Sequence, residues 1–278
     1  MPASAFLLAF AAAFIHGTSN VFVGRRQEPE AAFAFMLVVG VIVFAPIAVL
    51  TWDVEAAAIP YIAGSAALEL GYFAFLAAAY RIADVSLVYP VARGIAPILV
   101  LLGAVVFLRH GTTAGQVVGI VAVAVGILLV RGVGQLVRNA DRRGFLLALT
   151  SGAFIAGYTL VDKQGLAHAA PIPFIELVLI GPAIMYLIAI WRLRGVRAFR
   201  QEATPGIAIV GIVLFGTYIL VLFALRLAPA ASVSAVRETS IVIASAVAAL
   251  VAHERVTRSR FAGAVLVSAG IALVVLSR

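Results

Sequence analysis

The chain has 278 residues, of which 64% are hydrophobic and 12% charged, with a net charge of +8 and no cysteine. Soluble proteins average about 45–50% apolar and about 25% charged residues, so this composition argues against a water-soluble enzyme and against a disordered chain. The absence of cysteine excludes disulfides, thiolate metal sites and cysteine nucleophiles. Arginine supplies 19 of the 20 basic residues and lies almost entirely between apolar runs, which indicates membrane-flanking charge rather than nucleic-acid binding.

Ten apolar runs approach the roughly 20 residues that a helix needs to cross a bilayer. In chain order they cover residues 3–23, 32–51, 58–80, 86–108, 114–130, 144–161, 171–191, 204–225, 231–252 and 259–277. Runs such as VVGIVAVAVGILLV do not alternate apolar and polar residues, so helices and not barrel strands are predicted. The longest connection, residues 131–143, is the predicted linker between a first repeat at 1–130 and a second at 144–278.

The two halves of the sequence resemble each other at an offset of about 140 to 145 residues. The matching stretches are FIHGTSNV at 14–21 with FIAGYTLV at 154–161, AYRIA at 79–83 with ALRLA at 224–228, the runs beginning at Arg93 and Arg237, and Gly119 and Gly126 with Gly263 and Gly270. Five spans is an odd number, so the second half enters the membrane in the opposite orientation. We therefore predict an all-α membrane protein with ten transmembrane helices as two inverted five-helix repeats, an architecture of secondary transporters that bind substrate between the repeats.

The repeat, with His253-Glu254-Arg255 followed by Gly263 and Gly270, resembles the drug/metabolite transporter superfamily in its ten-helix EamA branch. The resemblance covers essentially the whole chain, although His110 departs from the pattern at the matching place in the first half. It implies a transporter of a small metabolite that is not an enzyme and needs no cofactor.

A narrower resemblance is to an EamA subgroup, some members of which are labelled as associated with phosphonate use. It is based on His16, Asn20 and Arg25, on Tyr89-Pro90-Val91-Ala92-Arg93-Gly94, on Tyr158-Thr159-Leu160-Val161-Asp162-Lys163, and on Arg237-Glu238. The resemblance implies that Tyr72, Tyr89, Tyr158 and Tyr218 lie on helices that line the central cavity.

Ionisable side chains inside a bilayer are candidate functional residues, because a charge at its centre costs roughly 2.5–3.5 kcal/mol on insertion scales. Six lie well inside spans: His16, Glu69, Arg93, Glu176, Arg237 and Glu238. The repeat-related Arg93 and Arg237 are predicted to face the cavity and to bind a carboxylate, phosphate or phosphonate. The alternative is structural, with each arginine paired to Glu69, Glu176 or Glu238. Both roles hold if an ion pair opens when substrate binds.

The other polar residues of the spans have secondary roles in this prediction. Glu69 and Glu176 are candidates for proton coupling or fixed partners of arginine, and Glu238 tunes the arginines. The remaining predicted substrate-binding residues are His16, Asn20, Tyr158 and Thr239.

Three further features of the spans have alternative interpretations. Asp162 and Lys163 are predicted to form a solvated cap at the end of the sixth span, with a gating role as the alternative. Pro90 and Pro97 are expected to kink the fourth span, either with a packing role or to free backbone carbonyls for substrate. The GxxxG motif at Gly115 and Gly119 packs helices within one chain or between two, so the oligomeric state stays open.

Several sequence motifs of enzymes are absent. His253-Glu254 is followed by Thr257 and not by a second histidine, so no HExxH metal site is present, and the sequence has no GxSxG elbow and no Walker loop. We predict no metal, no cofactor and no nucleic-acid partner. The expected partners are a small-molecule substrate, the lipid bilayer, and protons or a counter-substrate.

The two indications of orientation disagree. The odd-numbered connections carry 14 of the 20 basic residues, which places them in the cytoplasm and both termini outside. The superfamily resemblance implies both termini inside. The predicted location is the inner membrane of a bacterial cell.

The predicted function is secondary active transport of a small polar metabolite, anionic or zwitterionic, by alternating access. The alternatives within the same fold are an exporter of lipophilic cations and a lipid flippase. The first span offers His16 and no acidic residue, which argues against the cation exporter.

Overall fold

The computed structural model of the protein describes residues 1–23, 28–83, 85–107, 111–131, 142–252 and 257–277. Its helices are α1 (Ala3–Val23), α2 (Pro29–Leu50), α3 (Ile59–Ile82), α4 (Val85–Val106), α5 (Ala114–Arg131), α6 (Arg142–Gly165), α7 (Pro171–Leu193), α8 (Gly195–Glu202), α9 (Pro205–Leu227), α10 (Ala230–Arg237), α11 (Thr239–Ala252) and α12 (Arg258–Leu276). Arg25, His110, His253-Glu254-Arg255 and most of the 131–143 linker lie outside the described residues, as does the side chain of Asn20.

The prediction of ten membrane-crossing helices is confirmed. Eight described stretches are long and apolar enough to cross a bilayer, and the shorter apolar helices Ala3–Ser19 and Ala114–Val130 complete the ten. The short, mostly exposed helix α8 lies in the connection between α7 and α9. Helices α10 and α11 together form the ninth span.

Helix contacts follow the inverted repeat. In the first half α1 corresponds to α6 of the second, α2 to α7, α3 to α9, α4 to α10 and α11, and α5 to α12. Helix α6 packs against α3 and α4, and its counterpart α1 packs against α9, α10 and α11. Helices α2 and α7 contact each other, as do α5 and α12. Exchanging the halves therefore leaves the packing scheme unchanged, and each half is completed by helices of the other.

Four glycines bring α5 and α12 into backbone contact. A Cβ atom on Gly119 would lie 2.6 Å from the carbonyl oxygen of Gly270, and one on Gly270 would lie 2.6 Å from that of Gly119. Gly126 and Gly263 form the second such pair, at 2.8 and 2.6 Å. Small residues allow close helix approach where lipid provides no hydrophobic drive for association. The motif that includes Gly119 thus packs helices within one chain.

The ninth span is interrupted at Glu238, whereas its counterpart α4 continues through Pro90 and Pro97. The backbone N–H of Glu238 donates to Ala235 and that of Ile241 to Glu238, so the chain tightens to three-residue spacing. The Thr239 hydroxyl also donates to the Val236 carbonyl, competing for a helix acceptor. The break is a correction to the expected continuous helix, and it places the Glu238 carboxylate at a turn inside the protein.

The two membrane faces are distinguished by the chain ends. The N-terminal amine of Met1 donates to the Val275 carbonyl at 2.9 Å, so α1 begins where α12 ends. We call this side the terminal face. It also carries the connections α2–α3, α4–α5, α6–α7 and α9–α10, and the other side is the opposite face.

We expect Gly119→Ala to destabilise the protein by about 1–3 kcal/mol, because the added methyl group meets backbone rather than a flexible side chain. The measurement is thermal unfolding in detergent. Gly181→Ala is the matched control, since a Cβ on this helical glycine meets no atom within 4 Å. Equal melting temperatures for the two variants would contradict a close α5–α12 contact.

Candidate functional site

A cavity of about 170 Å³ lies between the repeats. Side chains from spans one to four and six to nine line it, whereas α5 and α12 contribute none. At roughly 10–15 Å³ for each water, it holds on the order of ten waters or a metabolite with a similar number of heavy atoms. The location between the repeats is the one that an inverted-repeat transporter uses for its substrate.

Most of the predicted site residues face this cavity. His16, Glu69, Arg93, Tyr158 and Arg237 line it, and so do Tyr72, Tyr89 and Tyr218. Thr239 is a correction, because its hydroxyl donates to Val236 and its side chain is not part of the lining. The neighbouring Ser240, which the sequence analysis did not select, lines the cavity instead.

Arg93 is paired across the repeats with Glu238. Its Nε lies 3.2 Å from the Glu238 Oε2, and both side chains are buried. Neither atom takes part in an aligned hydrogen bond with the described residues, so the contact is chiefly electrostatic. The Arg93 guanidinium also lies 5.9 Å from the centre of the Tyr89 ring. Of the three predicted carboxylate partners, the structure brings Glu238 to this arginine.

Arg237 has a different environment from its repeat counterpart. Its guanidinium lies over the Tyr218 ring, 5.4 Å from the centroid. Within the described part of the chain, no carboxylate oxygen lies within 4 Å of it. An arginine on an aromatic face retains donors that can bind a planar anion. Arg237 thus lines the cavity without an ion pair to any described carboxylate.

Glu176 lies outside the cavity lining and is not paired with a described arginine. It is buried near the start of α7 and is not part of the lining. Neither of its carboxyl oxygens has a hydrogen-bond partner among the residues that are described. Its expected pairing with Arg93 or Arg237 is therefore corrected. Among the described residues, no group of three or more histidine, aspartate or glutamate side chains could hold a metal ion.

Asp162 and Lys163 are not a solvated cap, because α6 continues to Gly165 and Asp162 is 0% exposed. The Ser65 hydroxyl donates to Asp162 Oδ1 at 2.5 Å and the Tyr218 hydroxyl to Oδ2 at 2.8 Å. The Lys163 ammonium donates to the carbonyls of Leu225 and Ala228 at the end of α9, where a cation also stabilises the helix dipole. These two neighbours tie α6 to α3 and α9.

The cavity is polar toward the terminal face and aromatic toward the opposite face. Phe33 and Phe73 lie 5.1 Å apart at their ring centres, and each contacts Tyr186 at 5.7 and 5.9 Å. Tyr158 lies between Tyr72 and Tyr218, at 6.1 and 6.3 Å. A ligand with one charged end and a less polar body fits this division.

We expect Glu238→Gln to destabilise the protein by about 3–5 kcal/mol, since it leaves the buried Arg93 without its carboxylate. Adding Arg93→Gln to the same chain should restore part of the loss. Glu30→Gln is the control, because the exposed Glu30–Arg194 pair is worth about 1 kcal/mol or less. Thermal unfolding checks all three, and a Glu238→Gln effect as small as that of Glu30→Gln would show that the buried pair carries no stability.

Comparison with known proteins gives the family. The chain matches the model of the EamA-like transporter family over residues 3–132 and 142–276, and no curated protein matches it significantly. One solved structure, described only as "Crystal structure of protein", is similar over 100% of both chains with a TM-score of 0.80 and 14% identity, which shows a shared fold. The family match covers both repeats, and its members are membrane transporters of small molecules rather than enzymes. This chain is an integral membrane protein and belongs to the EamA-like transporter family.

Proposed function

We propose that the chain is a secondary active transporter of a small metabolite, anionic or zwitterionic, that works by alternating access in the inner membrane of a bacterial cell. The observation that carries this proposal is the position of Arg237 in a cavity between inverted repeats, with no carboxylate pairing it among the described residues. A guanidinium inside a bilayer needs a compensating negative charge, and a carboxylate or phosphate of the substrate supplies it.

The rest of the lining supports a small and partly polar ligand. The hydroxyl groups of Tyr158 and Ser240 and the His16 ring offer hydrogen bonds, while Phe33 and Phe73 offer an apolar wall. Arg93 is compensated by Glu238, so the pair adds no net charge. The positive group at Arg237 favours an anion over the lipophilic cation of the alternative function.

Alternating access needs contacts that close each face in turn, and the repeats provide a related pair. On the terminal face the α2–α3 connection holds the α6–α7 connection: Val54 and Ala169 form an antiparallel bridge, and Glu55 pairs with His168 at 3.0 Å. We call this contact the terminal clasp. A second clasp joins the corresponding segments on the opposite face.

This second contact, which we call the opposite clasp, is made through carboxylate side chains and not through a backbone bridge. The Glu28 backbone N–H donates to Glu202 at 3.2 Å, and Arg194 pairs with Glu30 at 3.1 Å. Both clasps join the first repeat to the second. In the proposed cycle one clasp opens while the other stays closed, which allows rocking of one helix set against the other.

The binding proposal predicts that a carboxylate or phosphate compound raises the melting temperature of the wild-type protein. At a ligand concentration near one hundred times Kd the stabilisation is about 2.7 kcal/mol, a shift of several degrees. Arg237→Gln should abolish the shift. Arg226→Gln, which changes an exposed arginine at the end of α9, should retain it.

The compound panel for this measurement is grouped by charge. If lipophilic cations or lipids alone stabilise the protein, the exporter or flippase function replaces the present one. If Arg237→Gln responds to anions as the wild type does, Arg237 is not a substrate residue.

A disulfide across the terminal clasp should stop transport reversibly. Val54→Cys with Ala169→Cys places two cysteines on opposed residues of an antiparallel bridge, within the range of a disulfide. The natural chain has no cysteine, so no other thiol interferes. In liposomes, uptake of the compound found by the panel should disappear on oxidation and return on reduction, while each single variant stays active. Full activity of the oxidised pair would contradict opening at this face.

A further inference from the structure

The Tyr218 hydroxyl is shared by two buried carboxyl groups. It donates to Asp162 Oδ2 at 2.8 Å. The Glu69 carboxyl lines the same cavity as Tyr218 and is the second acid that interacts with its side chain. Both acids are almost fully buried, with exposed fractions of 0% and 5%. One hydroxyl therefore connects the cavity to an acid behind its wall.

Counting protons at this junction favours one additional proton. A tyrosine hydroxyl has a single proton to donate, and an ionised carboxylate is only an acceptor. With both acids ionised, the single hydroxyl proton would serve only one of them, and two like charges would lie together among buried side chains. This arrangement favours a proton on one of the two carboxyl groups.

Ser65, a second hydrogen-bond donor, distinguishes Asp162 from Glu69. Asp162 receives hydrogen bonds on both oxygens, from Ser65 and from Tyr218, and this arrangement stabilises a carboxylate. Glu69 remains as the group that donates to the Tyr218 oxygen. We propose that Glu69, Tyr218 and Asp162 form a proton-binding relay, in which Glu69 carries the proton in this conformation and exchanges it with the cavity.

Groups on the surrounding helices agree with this arrangement. Arg237 of α10 lies over the Tyr218 ring, and Tyr158 of α6 and Tyr72 of α3 line the same wall. Helix α4 contributes Arg93, which Glu238 neutralises, and the lining residue of α7 is the apolar Leu179. With Glu69 protonated, Asp162 is the one ionised acid of this junction, held by its two hydroxyl donors. An ionised Glu69 would add a second negative charge inside the bilayer.

The proton step through the relay is balanced. The Glu69 proton moves to the Tyr218 oxygen as the Tyr218 proton moves to Asp162 Oδ2, so Glu69 becomes a carboxylate, Asp162 a carboxylic acid, and tyrosine is unchanged. Asp162 lies one turn from the end of α6 on the terminal face, and Ser65 lies one turn from Glu69 in the same direction along α3. The relay therefore extends from the cavity toward the terminal face.

The relay exists in one copy, although the fold is repeated. At the offsets of the matching stretches, Tyr218 corresponds to Phe73 and Glu69 to Leu214. Ser65 corresponds to Val210, and Asp162 to Phe22 in the sequence. All four counterparts are apolar. The inverted repeat therefore supplies one proton site in each chain rather than one near each face.

For the proposed transport function, on which this step depends, the relay predicts joint binding of proton and anion. An ionised Glu69 would compete with an anionic substrate for Arg237, and a protonated Glu69 leaves the guanidinium available. Proton and substrate would then cross in the same direction.

Infrared spectroscopy of the substrate-free protein in liposomes tests the relay. A protonated carboxyl group has a C=O band that is separate from the carboxylate bands. In the Glu176→Gln background, which removes a buried acid whose oxygens have no partner among the described residues, we expect this band at neutral pH and its loss at alkaline pH. Glu69→Gln should abolish it. Asp162→Asn should keep it but shift its titration to lower pH, because Tyr218 can then donate to an ionised Glu69.

Two controls complete the experiment. Asp53→Asn, at an exposed acid of the terminal face, should leave the band unchanged. Selective ¹³C labelling of glutamate should also shift the band. This measurement needs no substitution at Glu69, so it remains valid if the Glu69→Gln variant does not fold. Absence of the band in the starting protein, or a band that follows Asp162 or aspartate labelling, would overturn the relay. A titrating band without anion stabilisation would retain the relay and reject the transport proposal.

Discussion

A charge inside a bilayer must be compensated by an opposite charge, a proton or a ligand. In this protein, other protein groups compensate some of the buried charges in and around the cavity. Arg93 is neutralised by Glu238 across the repeats. Asp162 is held by two hydroxyl donors. Arg237 has an aromatic face but no carboxylate within the described residues, and Glu69 has a hydroxyl that is already committed to Asp162. Arg237 and Glu69, which lack full compensation, both line the cavity.

The helix packing is equivalent in the two repeats, whereas the side chains that line the cavity are not. The packing scheme is unchanged when the halves are exchanged, and the glycine crossing of α5 and α12 lies outside the cavity, where it joins the halves without using polar groups. The lining breaks this equivalence, with acids and hydroxyls toward one face and aromatic rings toward the other. An equivalent scaffold allows two related conformations, while the unequal lining gives each face its own chemistry.

The helices and the repeat were predictable because apolar runs of bilayer length and a constant offset are properties of the sequence itself. The ends of the spans were harder to predict. Hydropathy ends the sixth span at residue 161, and the additional turn that buries Asp162 contains charged and polar residues. The break at Glu238 has no proline or glycine to signal it, whereas the two prolines of α4 do not interrupt that helix.

Side-chain partners depend on helix rotation and tilt, which a single sequence does not encode in any local pattern. Residue spacing therefore leaves three acids as candidate partners of Arg93, and only the packed structure selects Glu238. The same limit explains Glu176, which is buried but is not part of the cavity lining. Ser65 is a further case, because a serine on an apolar helix has no special signal until Asp162 lies beside it.

The glycine crossing also bears on how such a chain can arise. By the repeat correspondence, Gly270 occupies the place of Gly126 and Gly263 that of Gly119. In an antiparallel pair of identical half-length chains, Gly119 of one copy would therefore meet Gly126 of the other, with the same close approach of backbones. The surface is complementary to itself under inversion, so an ancestor inserted in both orientations could associate before gene duplication and fusion joined its copies. Fusion would then have freed each cavity wall to diverge, which self-association of identical subunits forbids.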